Sequence, residues 1–172
     1  MLEIAEATTA GQFRQFQDLV DEFRKWDTAM SREIGLDIGT MLDFLYKTPA
    51  SDLSAEYSPR GCVFLATYDG DLAGCGALKE LSEEVAELTR VYVRPAFRGR
   101  GLGKAIVEAI LSRARKDGYT TVCLETAIFM KDAQALYRSL GFQLTKPFRL
   151  VPAELTDAEV FMELTLSPSA HD

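Results

Sequence analysis

Histidine is nearly absent: the single copy, His171, is the penultimate of 172 residues. A Ser/His/Asp triad, a Cys/His dyad or a histidine-containing zinc site needs an imidazole held rigidly inside a fold, so those chemistries are excluded. Cysteine is scarce as well. Cys62, Cys75 and Cys123 are odd in number, far apart and set among apolar neighbours, which reads as small buried side chains in a reducing compartment and not as a disulfide framework. No stretch approaches the ~18 to 20 consecutive apolar residues of a membrane span. The first ten residues, MLEIAEATTA, carry Glu3 and Glu6 where a secretory signal carries positive charge. Together these absences predict a cytoplasmic protein without membrane or metal, whose chemistry uses carboxylates, hydroxyls, thiols or backbone amides.

What is present fits one globular domain over residues 1–172, with 47% hydrophobic and 26% charged residues. Acidic side chains outnumber basic ones 26 to 19, a net charge of −7. The distribution is uneven. Arg90, Arg94, Arg98, Arg100 and Lys104 fall in a stretch with no acidic residue, so the rest of the chain carries −12. Nucleic acid needs a broader basic face that neutralises many phosphates at once, and a small phosphorylated ligand suits this island better.

Along the chain, Ile4 to Ala7 reads as a strand and Thr8-Thr9 as a helix cap. Phe13, Phe16, Leu19, Val20 and Phe23 recur at three- and four-residue intervals within a helix from Ala10 to about Ala29. A second short helix is expected over Met41, Leu42, Phe44 and Leu45, ended by Thr48-Pro49. Strands at Cys62 to Tyr68 and Leu72 to Leu78 flank Asp69-Gly70-Asp71, a hairpin signal, and Val85 to Val93 continues the antiparallel meander. The period then becomes helical through Gly103, Ile106, Val107, Ile110, Leu111 and Ala114, with Gly118 as the stop. A strand at Thr121 to Thr126 and a helix with Ala133, Leu136, Tyr137 and Leu140 on one face, stopped by Gly141, come next. Phe142 to Leu144 and Glu159 to Leu166 are closing strands. The fold class is α+β around a mixed, mostly antiparallel sheet.

The chemistry concentrates in VYVRPAFRGRGLGK, residues 91 to 104. A strand ends at Val93, Pro95 forces an extended exit, and Gly99, Gly101 and Gly103 precede and open the helix. Such a turn aims unpaired N–H groups and a positive helix end at one point, an anion site suited to a pyrophosphate. A Walker A loop is excluded twice, because Arg98 stands where its first glycine belongs and Ala105 where Ser or Thr belongs. A dinucleotide fingerprint fails at Lys104 and expects parallel βαβ units, not the hairpin that precedes this loop.

Arg98-Gly99-Arg100-Gly101-Leu102-Gly103 resembles the Arg/Gln-x-x-Gly-x-Gly acetyl-CoA loop of the GNAT superfamily of N-acetyltransferases, and Ala133 through Tyr137 to Gly141-Phe142 resembles its second motif. The resemblance extends from about Ile4 to Leu166 and is most specific from Glu87 to Phe142, with an acetyl-CoA-binding core over about 85–142. Residues 87 to 97, Ala55 to Gly61 and Val160 to Leu164 are similar to a bacterial subgroup of small acetyltransferases.

The resemblance implies the GNAT fold, with splayed central strands, and acetyl-CoA as co-substrate. Val91, Tyr92 and Val93 would pair their backbone with the pantetheine arm, and Arg98, Gly99, Arg100, Gly101, Leu102, Gly103 and Lys104 would hold the pyrophosphate. Ala133 belongs to the second motif, whose tyrosine, here Tyr137, donates a proton to the departing thiolate. Glu87, favoured over the alternative Glu125, supplies the general base. One departure is Met130, where family members often carry asparagine. The implied activity is transfer of an acetyl group to a primary amine, small molecule or peptide, by direct attack. An acyl-CoA sensor and a dinucleotide-binding oxidoreductase are the alternatives. The acidic surplus favours a cationic acceptor, and oligomeric state stays open, a homodimer included.

Overall fold

The chain begins with strand β1 (Leu2–Glu6) and helix α1 (Ala10–Glu33). Thr9 caps α1 in an extended conformation: its hydroxyl accepts from the Gln12 N–H, and the Gln12 side chain accepts from the Thr9 N–H. This reciprocal box satisfies donors that the first helical turn would leave orphaned. The helix outlasts its expected end at Ala29 because no stop intervenes before Gly35, which adopts φ +78°. Phe16, Leu19 and Val20 are buried and Phe13 and Phe23 pack beside them. A single turn α2 (Leu53–Glu56) leads to β2 (Cys62–Tyr68), β3 (Asp71–Glu80) and β4 (Val85–Val93). After α3 (Leu102–Lys116) come β5 (Thr121–Ala127), α4 (Lys131–Ser139), β6 (Gln143–Leu144) and β7 (Glu159–Thr165). The computed structural model describes residues 1–36, 53–57 and 59–167; the helix expected around Met41 to Leu45 and the His171 position lie outside them.

The seven strands form one sheet in the order β1-β2-β3-β4-β5-β7-β6. Every pairing is antiparallel except that of β4 with β5. This parallel seam is short: only Val85, Ala86 and Glu87 face Thr121, Val122 and Cys123. Beyond it the two strands diverge. Thr89 pairs with Ala77 and Tyr92 with Cys75, so Arg90 and Val91 together oppose the single residue Gly76, and Arg90 takes φ +56°. That extra residue bends and twists β4, turning its end away from β5.

Helix α3 packs on one face of the sheet, burying Ile106, Val107, Ile110 and Leu111, and α1 packs on the other. Each such aliphatic side chain contributes roughly 1.5 to 3 kcal/mol. The approach is close at Gly76, where a Cβ would lie 2.6 Å from Ile106 Cγ2 and 2.8 Å from Ile110 Cδ1. The structure thus bears out the α+β mixed sheet with helices on both faces and splayed central strands.

Candidate active site

After β4, a single 3-10 turn (Pro95–Phe97) carries the chain into the glycine loop. Gly99 and Gly101 adopt φ +75° and +81°, and Gly101 is the N-cap of α3 without any side-chain cap. The first helical bond is donated by Ala105 to the Gly101 carbonyl at 3.1 Å. Leu102, Gly103 and Lys104 therefore present N–H groups with no intrahelical partner. Nothing lies within 4 Å of where a Cβ on Gly99 or Gly101 would stand, so this cradle is open at the positive end of a 15-residue helix. Buried Leu102 anchors it, and Gly103 abuts Leu136 of α4. The donor set fits a pyrophosphate.

The five basic side chains of the island do not converge there; strand alternation and the β4 bulge send them to separate partners. Arg94 binds Glu22 and the Leu72 carbonyl. Arg98 donates to the Val93 carbonyl and lies over the rings of Trp26 and Tyr92. Arg100 covers Tyr68 and Phe97, and Lys104 stands 3.8 Å from Glu108 in an exposed pair. Arg90 hydrogen-bonds Tyr57 and lines the cleft described next.

A cleft of about 340 Å³ runs through the gap between β4 and β5. It is bounded by Glu87 to Val91 on β4 and Glu125 to Ala127 on β5, with Tyr137 on the α4 side and Phe23, Asp27 and Ser31 of α1 opposite. Past Glu87 and Cys123 the facing strand edges have no partner across the seam, so their N–H and C=O groups can receive an extended amide-bearing chain as a further strand. That geometry fits the pantetheine arm. Val91 lines the cleft; Tyr92 does not, since its ring stacks on Phe23 in the core under α1, at 5.4 Å and 17°. Ala133, one turn before Tyr137, also lines the cleft, as does Met130.

Tyr137 is 7% exposed, and its ring meets Phe142 edge-on at 5.7 Å. Burial pushes its hydroxyl pKa well above the usual phenol range, so the group stays protonated at any working pH. Gln134, which sequence periodicity did not single out, is buried and donates to the carbonyls of Ala127 and Ile128 at 3.0 and 3.1 Å. It ties α4, and with it Tyr137, to the end of β5.

Register places Glu87, Cys123 and Glu125 on one face of the sheet. Both glutamates are held by one cation, Arg149 of the β6–β7 connection: Nη2 donates to Glu87, and Nε lies 3.1 Å from Glu125. Burial raises the pKa of Glu125, and Glu87 adds to the rise while Arg149 opposes it. Two further acids share the cleft, Asp27 and Glu159, raised by burial to about 6 and about 8. Sequence reading missed Arg149, which sits in a segment without periodicity. The signal for Asp27 was there: with Ser31 it extends the apolar α1 stripe of Phe16, Val20 and Phe23, and polar residues on a buried stripe ask for a reason. No group of three or more His, Cys, Asp or Glu among the described residues is arranged to hold a metal ion, and no helix among them is long and apolar enough to cross a membrane.

Comparison with known proteins bears on the family and the fold. The sequence profile of the acetyltransferase (GNAT) family matches residues 17–142. The uncharacterised N-acetyltransferase YjgM of Escherichia coli K12 is 31% identical over 65% of this chain and 71% of its own. An uncharacterised N-acetyltransferase of Schizosaccharomyces pombe is 30% identical over 88% of this chain and 90% of its own. Among solved structures, the PaiA N-acetyltransferase of Thermoplasma acidophilum in complex with coenzyme A shares the fold, with a TM-score of 0.72 over 96% of this chain and 99% of its own at 18% identity.

Proposed function

The chain belongs to the GNAT family of acetyltransferases and is an acetyl-CoA-dependent acyltransferase, and on that premise we propose that it acetylates a primary amine by direct attack within the β4–β5 cleft. One observation carries the reading: a single cleft is lined by the facing β4 and β5 edges, by Tyr137 and by buried carboxylates, and the uncapped glycine cradle follows the end of β4 with its Gly103 against α4. When bound, acetyl-CoA supplies an activated thioester. The N–H groups of Leu102 to Lys104 hold its pyrophosphate, with Arg98, Arg100 and Lys104 at the rim, and the backbone of Val91 to Val93 aligns the pantetheine arm. An N–H near Val91 polarises the thioester carbonyl, an interaction worth ~10² or more in rate.

The amine arrives protonated. At a lysine-like pKa only about one molecule in ~10³ is neutral at pH 7, a barrier of roughly 4 to 5 kcal/mol. Glu125, whose burial strengthens it as a proton acceptor, takes that proton directly or through water, while Glu87 fixes Arg149 beside it. Tyr137 donates to the sulfur as charge develops there. Met130 leaves the cofactor one polar contact short of the family pattern.

The test is release of free CoA thiol from acetyl-CoA across alkylamines, peptides and aminoglycosides, with melting temperature followed in parallel. At one hundred times its dissociation constant acetyl-CoA is expected to add ~2.7 kcal/mol of stability, roughly 5 to 10 °C at this size, with far smaller shifts from NAD and ATP. Amine-dependent thiol release supports the reading. Stabilisation without release from any amine would make the protein an acyl-CoA sensor, and equal shifts from all three ligands would remove the cradle from its assigned role.

A further inference from the structure

Resting on the amine-acetylating reading above, we propose that the acceptor carries two positive charges: one amine is acetylated beside Glu125 while a second ammonium is seated between Asp27 and Ser31 of α1 and Glu159 of β7. The substrate class is then an α,ω-diamine or polyamine chain.

The argument begins on α1. Its buried stripe turns polar at Asp27 and Ser31, one and two turns past Phe23, where the helix crosses the cleft. Asp27 is 8% exposed and Ser31 fully buried, yet Asp27 Oδ1 and Ser31 Oγ have no hydrogen-bond partner among the described residues. Leaving such groups unmade costs free energy, and a ligand that completes them recovers it. The neighbouring cations have partners elsewhere: Arg149 at Glu87 and Glu125, Lys79 at Glu56 at 3.1 Å, and Arg90 in a side-chain hydrogen bond with Tyr57. Neither Asp27 nor Glu159 forms an ion pair among the described residues. The raised pKa of Asp27 agrees with burial lacking a counter-ion, and at Glu159 burial outweighs the opposing Arg149.

Geometry selects the ligand. Glu125 pairs with Phe161 and Ala127 with Glu159, so the two glutamates are diagonal neighbours on one face, roughly 7 Å apart, a separation that a short alkyl spacer covers. Phe23, Tyr57 and Phe129 supply apolar wall for its methylenes. The carboxylates do not gather as a metal cage. An ammonium carries three N–H donors, matching the carboxylates of Asp27 and Glu159 and the hydroxyl of Ser31.

The experiment compares putrescine and cadaverine with butylamine and pentylamine in acetyl-CoA-dependent thiol release. The diamines are expected to exceed the monoamines ~10- to 100-fold in kcat/KM, the range for hydrogen bonds to a charged group. Asp27→Asn and Glu159→Gln are each expected to shrink that ratio about tenfold or more without lowering the melting temperature. Equal turnover of diamine and monoamine would overturn the proposal and leave amine acetylation standing, as would a variant that slows both classes by one factor. If no amine supports thiol release, calorimetry with putrescine alone decides: binding that Asp27→Asn abolishes keeps the subsite, and absence of binding removes it.

Discussion

At Tyr137 the ring and the hydroxyl have separate roles. The ring packs against Phe142 and fills the space beneath α4; the hydroxyl is the part to which the proposal assigns proton donation. Tyr137→Phe is therefore expected to keep the melting temperature and acetyl-CoA affinity while turnover falls about 10² to 10³, the usual range for losing a general acid. Steady-state kinetics beside a thermal melt check this, and full activity would return the residue to packing alone. At Gly101 the constraint is conformational. A Cβ there meets no protein atom, but φ is +81°, a region that a β-branched side chain avoids. Gly101→Val is expected to leave the fold intact and abolish measurable acetyl-CoA binding by calorimetry, since the N–H groups of the cradle lose their aim; wild-type affinity would take the loop out of the site.

Periodic elements were legible and crossings between them were not. The Thr9 cap, the Asp69-Gly70 hairpin with both residues at positive φ, and the α3 and α4 stripes follow from local rules that the sequence carries openly. The splay of β4 from β5 depends on a bulge at Arg90, and a register shift leaves no local signature. Glu87 and Glu125 were identified as candidates, but their common cation was not, because Arg149 is sixty-two residues from Glu87 and lies in an aperiodic connection. The basic island misled for a related reason: charge adjacency along the chain says nothing about the face on which each side chain emerges. Contact between elements also makes Gly76 a sharp test. Gly76→Ala forces a methyl into the space of Ile106 and Ile110, and overpacking of this kind costs about 1 to 3 kcal/mol. The melting temperature is expected to fall by roughly 3 to 10 °C. No change would mean that α3 lies farther from the sheet than described.

For the whole molecule, stability should decline as pH rises from about 5 to 8. Glu159 faces Asp27 from α1, Glu125 from β5 and Arg149 from the β6–β7 connection. Its carboxyl is held at about 8 in the fold, from an ordinary 4.5. Between those values the native protein binds more protons than the unfolded chain, so unfolding becomes easier with each step in pH until the difference is complete near 8. Asp27 adds the same sign up to about 6. Interference is small, since the only histidine is His171 and burial pushes the cysteine thiols up, away from this window. Glu159→Gln is expected to flatten the fall in melting temperature between pH 6 and 8; an unchanged slope would assign it elsewhere. The seam between β4 and β5 acts at this scale too. Three facing residue pairs join a four-stranded panel to a three-stranded one. In mechanical terms the sheet is two plates riveted along a short edge. A load pulling the plates apart falls on those few hydrogen bonds, and a ligand lying in the gap stiffens the protein as added rivets would.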